Sequence, residues 1–424
     1  MPHSLAEWLE YQQHVHKVDI ELGLNRVGEV WRRMGSPRAP LTITVGGTNG
    51  KGSTVAFLTA MLRAMGLRVG SYVSPHVRAY NERICVDDVE ASDATLCAAF
   101  ERIETARGEI PITYFEFATL AALDVFGRSR LDVMVLEVGM GGRLDATNIV
   151  DADAAVITTI GLDHMQWLGP DRDSIGREKA GIARAGRPVI IGEAEPPQGL
   201  LARLDEIGAD VERAGIAFAL HEEGGQTVWK HRDGTTLAWP NLPLDAPCQP
   251  ANAAAAVAAL HALRDRLPWS PQAIVDGLRH AHVRGRMQNI GHAPERVLDV
   301  AHNPQAAAVL AAWLDAHPVA GTVHAVYGAM GDKDVEGVLR AVGARVDHWH
   351  LGGLDGETAR GLSVTGLVER FGDALPDAAC DAHADIATAW KAATQAARPD
   401  DLIVAFGSFF VVAAVLDAGQ KSTD

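Results

Sequence analysis

Cysteine is scarce in this chain: four in 424 residues, Cys85, Cys97, Cys248 and Cys380, with no C-x-x-C pair among them. That scatter excludes a disulfide framework and a cysteine zinc site, and it suits a reducing compartment. Basic residues are also in deficit. Lys and Arg number 38 against 54 Asp and Glu, a formal net charge of −16, which excludes nucleic acid as a partner because that needs a basic face. Long apolar runs are missing too. The longest, Leu402 to Leu416, is interrupted by Gly407-Ser408; it is too short for a membrane span and reads as a buried strand, a turn and a helix. Met1 to Leu9 carries Glu7 and lacks a basic stretch followed by an apolar core, so no signal peptide is expected. No internal repeat or low-complexity tract occurs. A cytoplasmic protein without membrane contact is expected.

What is present begins with Val45-Gly46-Gly47-Thr48-Asn49-Gly50-Lys51-Gly52-Ser53-Thr54, set between the β-branched run Leu41–Val45 and the apolar stretch Val55–Met65. The pattern is strand, glycine-rich turn, helix. Glycines let backbone N–H groups cradle a polyphosphate, and the helix N-terminus adds favourable partial charge. Lys51 can reach the terminal phosphates, and a hydroxyl just after it can hold Mg²⁺. Gly52 stands where Ser or Thr is usual, so Ser53 or Thr54 must serve. The loop predicts ATP or GTP binding.

Hydrophobic content of 47% and charged content of 22% are ordinary for a globular chain long enough for two or three domains. Apolar β-type runs alternate with helical stretches, the mark of a mostly parallel sheet covered by helices. Expected strands are Leu41–Val45, Arg68–Tyr72, Asp132–Val138, Ala154–Ile160 and Pro188–Ile191; expected helices are Thr54–Met65, Ser92–Ala106, Tyr114–Phe126 and Ala251–Leu263. Gly192 to Pro250 reads as smaller strands and loops. A second alternation runs from strand Val297–Val300 to strand Leu402–Phe406 through helices Pro304–Ala316, Asp334–Val342 and Ala384–Ala397, with strands Thr322–Tyr327 and His348–Leu351 between. The fold class is α/β: a P-loop ATPase domain over 1–285 and a smaller Rossmann-like C-terminal α/β domain over 286–424, with Val283 to Glu295 as hinge.

Ligands collect at the carboxyl ends of parallel strands. Glu137 ends the buried run Leu131–Val138, where a carboxylate is a natural Mg²⁺ ligand. His164 follows a strand ending at Ile160, and Ser74-Pro75-His76 follows Val69–Val73. Singly these read as caps, turn residues or satisfied histidines. Three at strand ends beside a phosphate loop point to a site.

Six blocks occur in order: Gly47-Thr48-Asn49-Gly50-Lys51-Gly52-Ser53, Ser74-Pro75-His76, Glu137 through Asn148, Asp163-His164, Arg177-Glu178-Lys179-Ala180-Gly181 and Asp299-Val300-Ala301-His302-Asn303-Pro304. Together they resemble the folylpolyglutamate synthase branch of the Mur ligase superfamily, in its bifunctional bacterial form, over nearly the whole chain. The resemblance implies a Mur-type central ATPase domain followed by a glutamate-ligase domain. It also implies an ATP-dependent ligase that joins L-glutamate to dihydropteroate, giving dihydrofolate, and to tetrahydrofolates, giving polyglutamates. In that chemistry a pteroyl carboxylate takes the γ-phosphate of ATP, and the amine of glutamate displaces phosphate from the acyl phosphate.

Residue by residue, the resemblance implies that Lys51 serves phosphoryl transfer and that Ser74 and Glu137 hold one Mg²⁺. Glu137 with His164 holds a second, and Lys179, carbamylated, supports a metal. Asn252 lies by adenine, Arg286 meets the phosphates, Asp299 holds the ribose and His302 packs beside the nucleotide. Thr113-Tyr114-Phe115-Glu116, an aromatic among polar groups suited to a flat pterin, borders the dihydropteroate site. Leu144-Asp145-Ala146 and Ile20-Glu21-Leu22 border it too, although relatives carry Asp where Glu21 stands. A monomer is expected.

Other classes compete. A single-activity folylpolyglutamate synthase would share every block. A peptidoglycan Mur ligase would share the loop, but only about forty residues precede it here, too few for a nucleotide-sugar domain of ordinary size. A small-molecule kinase, a GTPase switch or a non-catalytic ATP-binding scaffold would leave the Glu137, His164 and Lys179 set unexplained.

Overall fold

The β-branched run Leu41–Gly46 forms β1, buried at every position. The computed structural model describes residues 2–18 and 20–420, and in it β1 lies inside an eight-stranded sheet. The other strands are β2 (Val69–Tyr72), β3 (Ile84–Val86), β4 (Val89–Glu90), β5 (Val133–Glu137), β6 (Ala154–Ile157), β7 (Pro188–Ile191) and β8 (Asp210–Arg213). Their order is β4-β3-β2-β5-β1-β6-β7-β8. Pairing from β2 to β8 is parallel, and β3 and β4 add an antiparallel edge. Strands covered on both faces need continuous apolar runs, and Ile43, Val135, Val156 and Ile190 are all fully buried.

Because β1 lies between β5 and β6, the chain order reverses there, and the carboxyl ends of three strands meet. Val45 is level with Glu137 and Gly46 with Ile157. The helix Lys51–Ala64 follows β1 and buries Val55, Phe57, Leu58, Met61 and Leu62. The alanine-rich helix Gln249–Ala262 packs against it; Ala253 through Ala259 are almost wholly buried, since small side chains let two helices approach closely. A three-stranded antiparallel sheet, β9 (Phe218–Glu223), β10 (Gln226–His231) and β11 (Thr236–Trp239), belongs to the same unit.

The chain forms two compact units. One runs up to Pro243 and takes in Gln249–His282; the other takes in Leu244–Cys248 and the chain from Val283 onward. The second holds β12 (Gln288–His292), β13 (Glu295–Leu298), β14 (Val323–Tyr327), β15 (His348–Gly352), β16 (Cys380–His383) and β17 (Leu402–Phe406), in the order β12-β13-β17-β14-β15-β16. All pairs are parallel except β12 with β13. Trp313, Tyr327, Trp349, Phe371 and Phe406 anchor its core.

The α/β class and both sheets agree with the sequence reading, while several elements differ from it. The stretch 192–250 contains a helix, Gln198–Ile207, beside its short strands. Helix Val364–Ala374 and strand β16 were not expected. The segment 283–295, expected as a hinge, carries β12 and the first residue of β13. Strand β6 stops at Ile157 instead of Ile160 because Thr158 and Thr159 turn to grip the phosphate loop. The helix after the loop begins at Lys51 instead of Thr54. Among the described residues no helix is long and apolar enough to cross a membrane.

Candidate active site

The phosphate loop is clasped from the neighbouring strand. Thr48 N–H donates to Thr159 O (2.7 Å), the Thr48 hydroxyl pairs with Gly161, and Thr158 Oγ1 donates to Asn49 O (2.6 Å). Gly47 has φ 146°, and a Cβ there would lie 1.8 Å from Thr158 Oγ1. Gly50 has φ 88°, and its Cβ would lie 2.4 Å from Asn252 Oδ1. Both glycines are therefore demanded by backbone conformation and by close approach. Lys51 Nζ donates to Thr48 O (3.2 Å), folding the side chain back over the loop. The hydroxyl expected to serve Mg²⁺ is engaged in either case: Thr54 Oγ1 donates to Gly50 O (2.9 Å), and Ser53 Oγ accepts from Gln249 Nε2 (3.2 Å). Asn252 in turn donates to Gln249 Oε1 (3.1 Å), so the start of helix Gln249–Ala262 is tied to the loop. Gly52 lies in the first turn after Lys51.

Around this loop lie the residues expected to hold metal. Glu137, at the end of β5, is buried and accepts from Ser74 N–H (3.1 Å). His164 has φ 51°, a left-handed conformation that turns the chain into the short helix Met165–Leu168, and its N–H donates to Asp163 Oδ1 (2.9 Å). Lys179 is buried, and its Nζ donates to Gly47 O (2.8 Å). Burial, with the Lys51 cation as a second cause, pulls the Lys179 amine down to about 7, while Asp163 and Asp145 act the other way. Carboxylate, hydroxyl and imidazole donors beside a polyphosphate loop suit a hard divalent cation. A carbamate on Lys179 would replace a repelling cation with an oxygen ligand.

The segments expected to face a pterin lie in the same unit and are heavily engaged by the protein itself. Thr113 caps helix Tyr114–Arg128: its Oγ1 accepts from Glu116 N–H (3.2 Å), and Glu116 Oε2 accepts from Thr113 N–H (2.7 Å). Arg26 bridges Glu116 Oε1 (3.3 Å) to Glu21, which also meets His16 (3.1 Å). Glu21 is exposed, and Ile20 and Leu22 are half-buried. The Phe115 ring lies on the backbone of Gly139, where a Cβ would come within 2.4 Å of its Cζ, and it neighbours the Tyr72 ring. Tyr114 packs edge-on against Tyr80, with the Arg83 guanidinium over both rings. Asp145 is buried and holds its own loop by accepting from Met140 N–H, Thr147 N–H and Thr147 Oγ1 at 2.9, 3.0 and 2.7 Å. Burial pushes its carboxyl up against the pull of those bonds. Leu144 is half-buried and Ala146 buried.

The second unit places Arg286, Asp299 and His302 together. Asp299 is buried and accepts from Met287 N–H (3.0 Å) and Ala301 N–H (2.7 Å); burial raises its carboxyl, opposed first by Arg286. The Arg286 guanidinium lies 5.3 Å from the centre of the Phe409 ring, which His302 also approaches. Sequence reasoning missed Phe409, the clasping Thr158 and Thr159, Gln249, Arg26 and the Arg83–His76 pair (Nε to Nδ1, 2.8 Å). Paired threonines closing an apolar strand were the one available signal; the others depend on strand order.

Residues 45–259 match the Mur ligase middle domain, and residues 285–409 match the Mur ligase glutamate ligase domain. The chain is 44% identical over 414 residues to the dihydrofolate synthase/folylpolyglutamate synthase of Escherichia coli (strain K12), covering 97% of this chain and 95% of that one. Among solved structures it is similar to E. coli FolC in complex with DHPP and ADP, with 43% identity, a TM-score of 0.94 and complete coverage of both chains. It is also similar to a bifunctional folylpolyglutamate synthase/dihydrofolate synthase with Mn, AMPPNP and L-glutamate bound: 44% identity, TM-score 0.90, 99% and 98% of the two chains.

Proposed function

The chain belongs to the dihydrofolate synthase/folylpolyglutamate synthase branch of the Mur ligase family, and we propose that it joins L-glutamate both to 7,8-dihydropteroate and to tetrahydrofolates at the expense of ATP. The observation that carries this is the buried Lys179 amine on the carbonyl of Gly47, which links the phosphate loop to the chemistry of this branch. The free carboxylate of the acceptor, the benzoate of dihydropteroate or a glutamyl carboxylate of a tetrahydrofolate, attacks the γ-phosphorus of ATP, and the bond to the β,γ-bridging oxygen breaks to release ADP. The amine of glutamate then attacks the acyl carbon, loses a proton, and phosphate departs as the amide forms. Phosphoryl transfer of this kind rests on positioning and charge neutralisation.

Lys51 supplies a cation where negative charge is transferred. Gly47, Thr48, Asn49, Gly50, Gly52 and Ser53 cradle the phosphates, with Asn252 at the base. The family likeness assigns Arg286, Asp299 and His302 to the nucleotide as phosphate, ribose and packing partners. Ser74, Glu137, His164 and carbamylated Lys179 are the residues that hold two Mg²⁺, and those ions neutralise phosphate charge when bound. The lowered Lys179 amine leaves a large unprotonated share near neutral pH, the form that attacks CO₂ to give a carbamate and a proton. Thr113, Phe115 and Asp145, with Ile20, Glu21, Leu22, Tyr114, Glu116, Leu144 and Ala146 around them, form the pteroyl side. The chain up to residue 285 acts as the ATPase domain and 286–424 as the glutamate-ligase domain, in the cytoplasm and as a monomer.

The test is product analysis by mass spectrometry with ATP, glutamate and either dihydropteroate or tetrahydrofolate. Dihydrofolate from the first and an added glutamate on the second are expected. Failure of the first alone leaves a plain folylpolyglutamate synthase, and failure of both overturns the reading.

A further inference from the structure

The second unit carries a side-chain cluster that the ligase reaction does not use. His324 lies on β14, His348 and His350 on β15, Asp381 and His383 on β16, and Asp401 just before β17. The strand registers pair His324 with His348 and His350 with Asp381. Side chains two apart on a strand share a face, so the four histidines and Asp381 gather on one side of three adjacent strands. Cys380 and Trp349, also paired, take the other.

The contacts form a chain across the strands. His324 Nε2 faces Asp401 Oδ2 at 3.6 Å, and its Nδ1 lies 3.3 Å from His350 Nε2. The other ring nitrogen of His350, Nδ1, faces β16, where His383 Nε2 lies at 3.4 Å. On the same side His348 Nε2 lies 2.9 Å from Asp381 Oδ2. One ligand atom from each of His348, His350 and Asp381 falls within 4.8 Å of the other two. A histidine whose second N–H is held by an oriented acceptor is the usual arrangement of a metal ligand.

We propose that His348, His350 and Asp381, joined by His383, bind a divalent transition cation of the Zn²⁺, Co²⁺ or Ni²⁺ class, with His324 and Asp401 as its outer supports. Three imidazoles and one carboxylate suit a tetrahedral borderline cation; Mg²⁺, which prefers an octahedron of oxygens, is a poor match. The site is open to solvent on one side, since the His348 and Asp381 side chains are 32% and 61% exposed, and closed on the other, where His350 is buried. The charged groups acting on His350 are the other three histidines and Asp381. The rival cluster of Glu212, His231 and His261 is less suited, because the Arg264 guanidinium lies 3.4 Å from His261 Nδ1 and would repel a cation. A bound ion would tie β16, at the edge of its sheet, to β15 and stabilise this unit by linkage.

The experiment uses the full chain without a polyhistidine tag, stripped with chelator and then titrated with Co²⁺ or Zn²⁺. One Co²⁺ per chain with the intense visible absorption of a tetrahedral site is expected, counted by that absorption and apart from any weakly absorbing Co²⁺ at the ligase centre, together with a rise in Tm on adding Zn²⁺ that Mg²⁺ does not reproduce. The double variant His348→Ala/Asp381→Asn should bind at least about 100-fold more weakly, and His324→Gln about 10–100-fold more weakly, as loss of an outer support does. Circular dichroism monitors the fold of each, and His348→Gln alone carries the comparison if the double variant misfolds. No stoichiometric uptake at micromolar free ion would overturn the proposal. Uptake unchanged in the His348 variants would overturn it equally, because the ion would then be held elsewhere.

Discussion

Lys179 and Gly47 are 132 positions apart in sequence, yet the buried amine of the first donates to the carbonyl of the second at 2.8 Å. The helix Arg172–Ala180 is thus tied to the phosphate loop through a group whose charge its surroundings resist. Lys179→Ala should lower turnover by roughly 100-fold or more, on the scale of losing one transition-state stabiliser, and short carboxylates in the buffer should restore part of it. Carbamylation needs the neutral amine. Since the amine is lowered to about 7, reactivation of CO₂-depleted enzyme at a fixed concentration of dissolved CO₂ should be faster at pH 8 than at pH 6. A rate independent of both pH and CO₂ would speak against a carbamate.

Lys51→Ala removes the cation proposed to stand where charge is transferred. Its one side-chain hydrogen bond, to Thr48 O, is local, so the fold should survive with little change in Tm. Turnover should fall about 1000-fold, within the range for a cation at a phosphoryl-transfer centre. Near-normal turnover would mean that this loop is not the catalytic nucleotide site.

Glu137→Gln preserves shape and can still accept from Ser74 N–H, but it removes a buried negative charge. Activity should collapse by about 100-fold or more, and raised Mg²⁺ should rescue it poorly. Retained activity with an ordinary Mg²⁺ dependence would remove Glu137 from the metal site.

The strand–loop–helix at 41–64 was legible because its signals are local: a β-branched run, glycines at left-handed positions and an apolar stretch. The parallel sheet followed from alternation. The Thr158–Asn49 and Arg26–Glu116 contacts were not legible, because each joins residues some ninety or more apart, and only the order β5-β1-β6 or the docking of the first helices brings such partners together. Helix Val364–Ala374, though not expected, does carry a local signal: Val364, Leu367, Val368 and Phe371 recur at helical spacing, and Leu367 and Phe371 are its buried members. Thr113, Glu116 and Asp145 were named from family likeness; the spacing Thr113-x-x-Glu116 ahead of an apolar run is the local mark of the capping box that engages the first two, whereas the Arg26 bridge to Glu116 depends on tertiary packing.

His76 supports a pH prediction. Its Nδ1 accepts from Arg83 Nε at 2.8 Å, and protonation would destroy that bond. Burial first, then the Arg83 cation, lowers its pKa to about 4. The folded value lies below the unfolded one of about 6.5, so the associated stability is complete above pH 6.5 and is lost as pH falls toward 4. The effect is on the order of 1–3 kcal/mol after allowing for partial exposure. His76→Gln, whose amide can accept the same bond without titrating, should show a flatter dependence of Tm on pH between 6.5 and 4. Parallel curves for the two proteins would assign the acid sensitivity to other groups.

Asp145 offers a test of the proposed pteroyl side. Dihydropteroate has no glutamate tail, so under the proposed function its recognition would rest on ring contacts, from Phe115 on Gly139 and from polar atoms near Thr113 and Asp145. Asp145 accepts three hydrogen bonds from its own loop, so Asp145→Ala leaves three donors unsatisfied, at about 1–3 kcal/mol for each that stays buried. A lower Tm is expected on that ground alone. The informative measurement is therefore a ratio, the loss of kcat/KM for dihydrofolate synthesis against the loss for adding glutamate to a tetrahydrofolate that already carries one. A site that pairs polar ring atoms loses discrimination when one partner goes, and a substrate with additional contacts through its tail is less affected. Asp145→Ala should therefore lower dihydrofolate synthesis about tenfold more than glutamate addition, at a temperature where both proteins are folded. Equal losses would confine Asp145 to holding its loop.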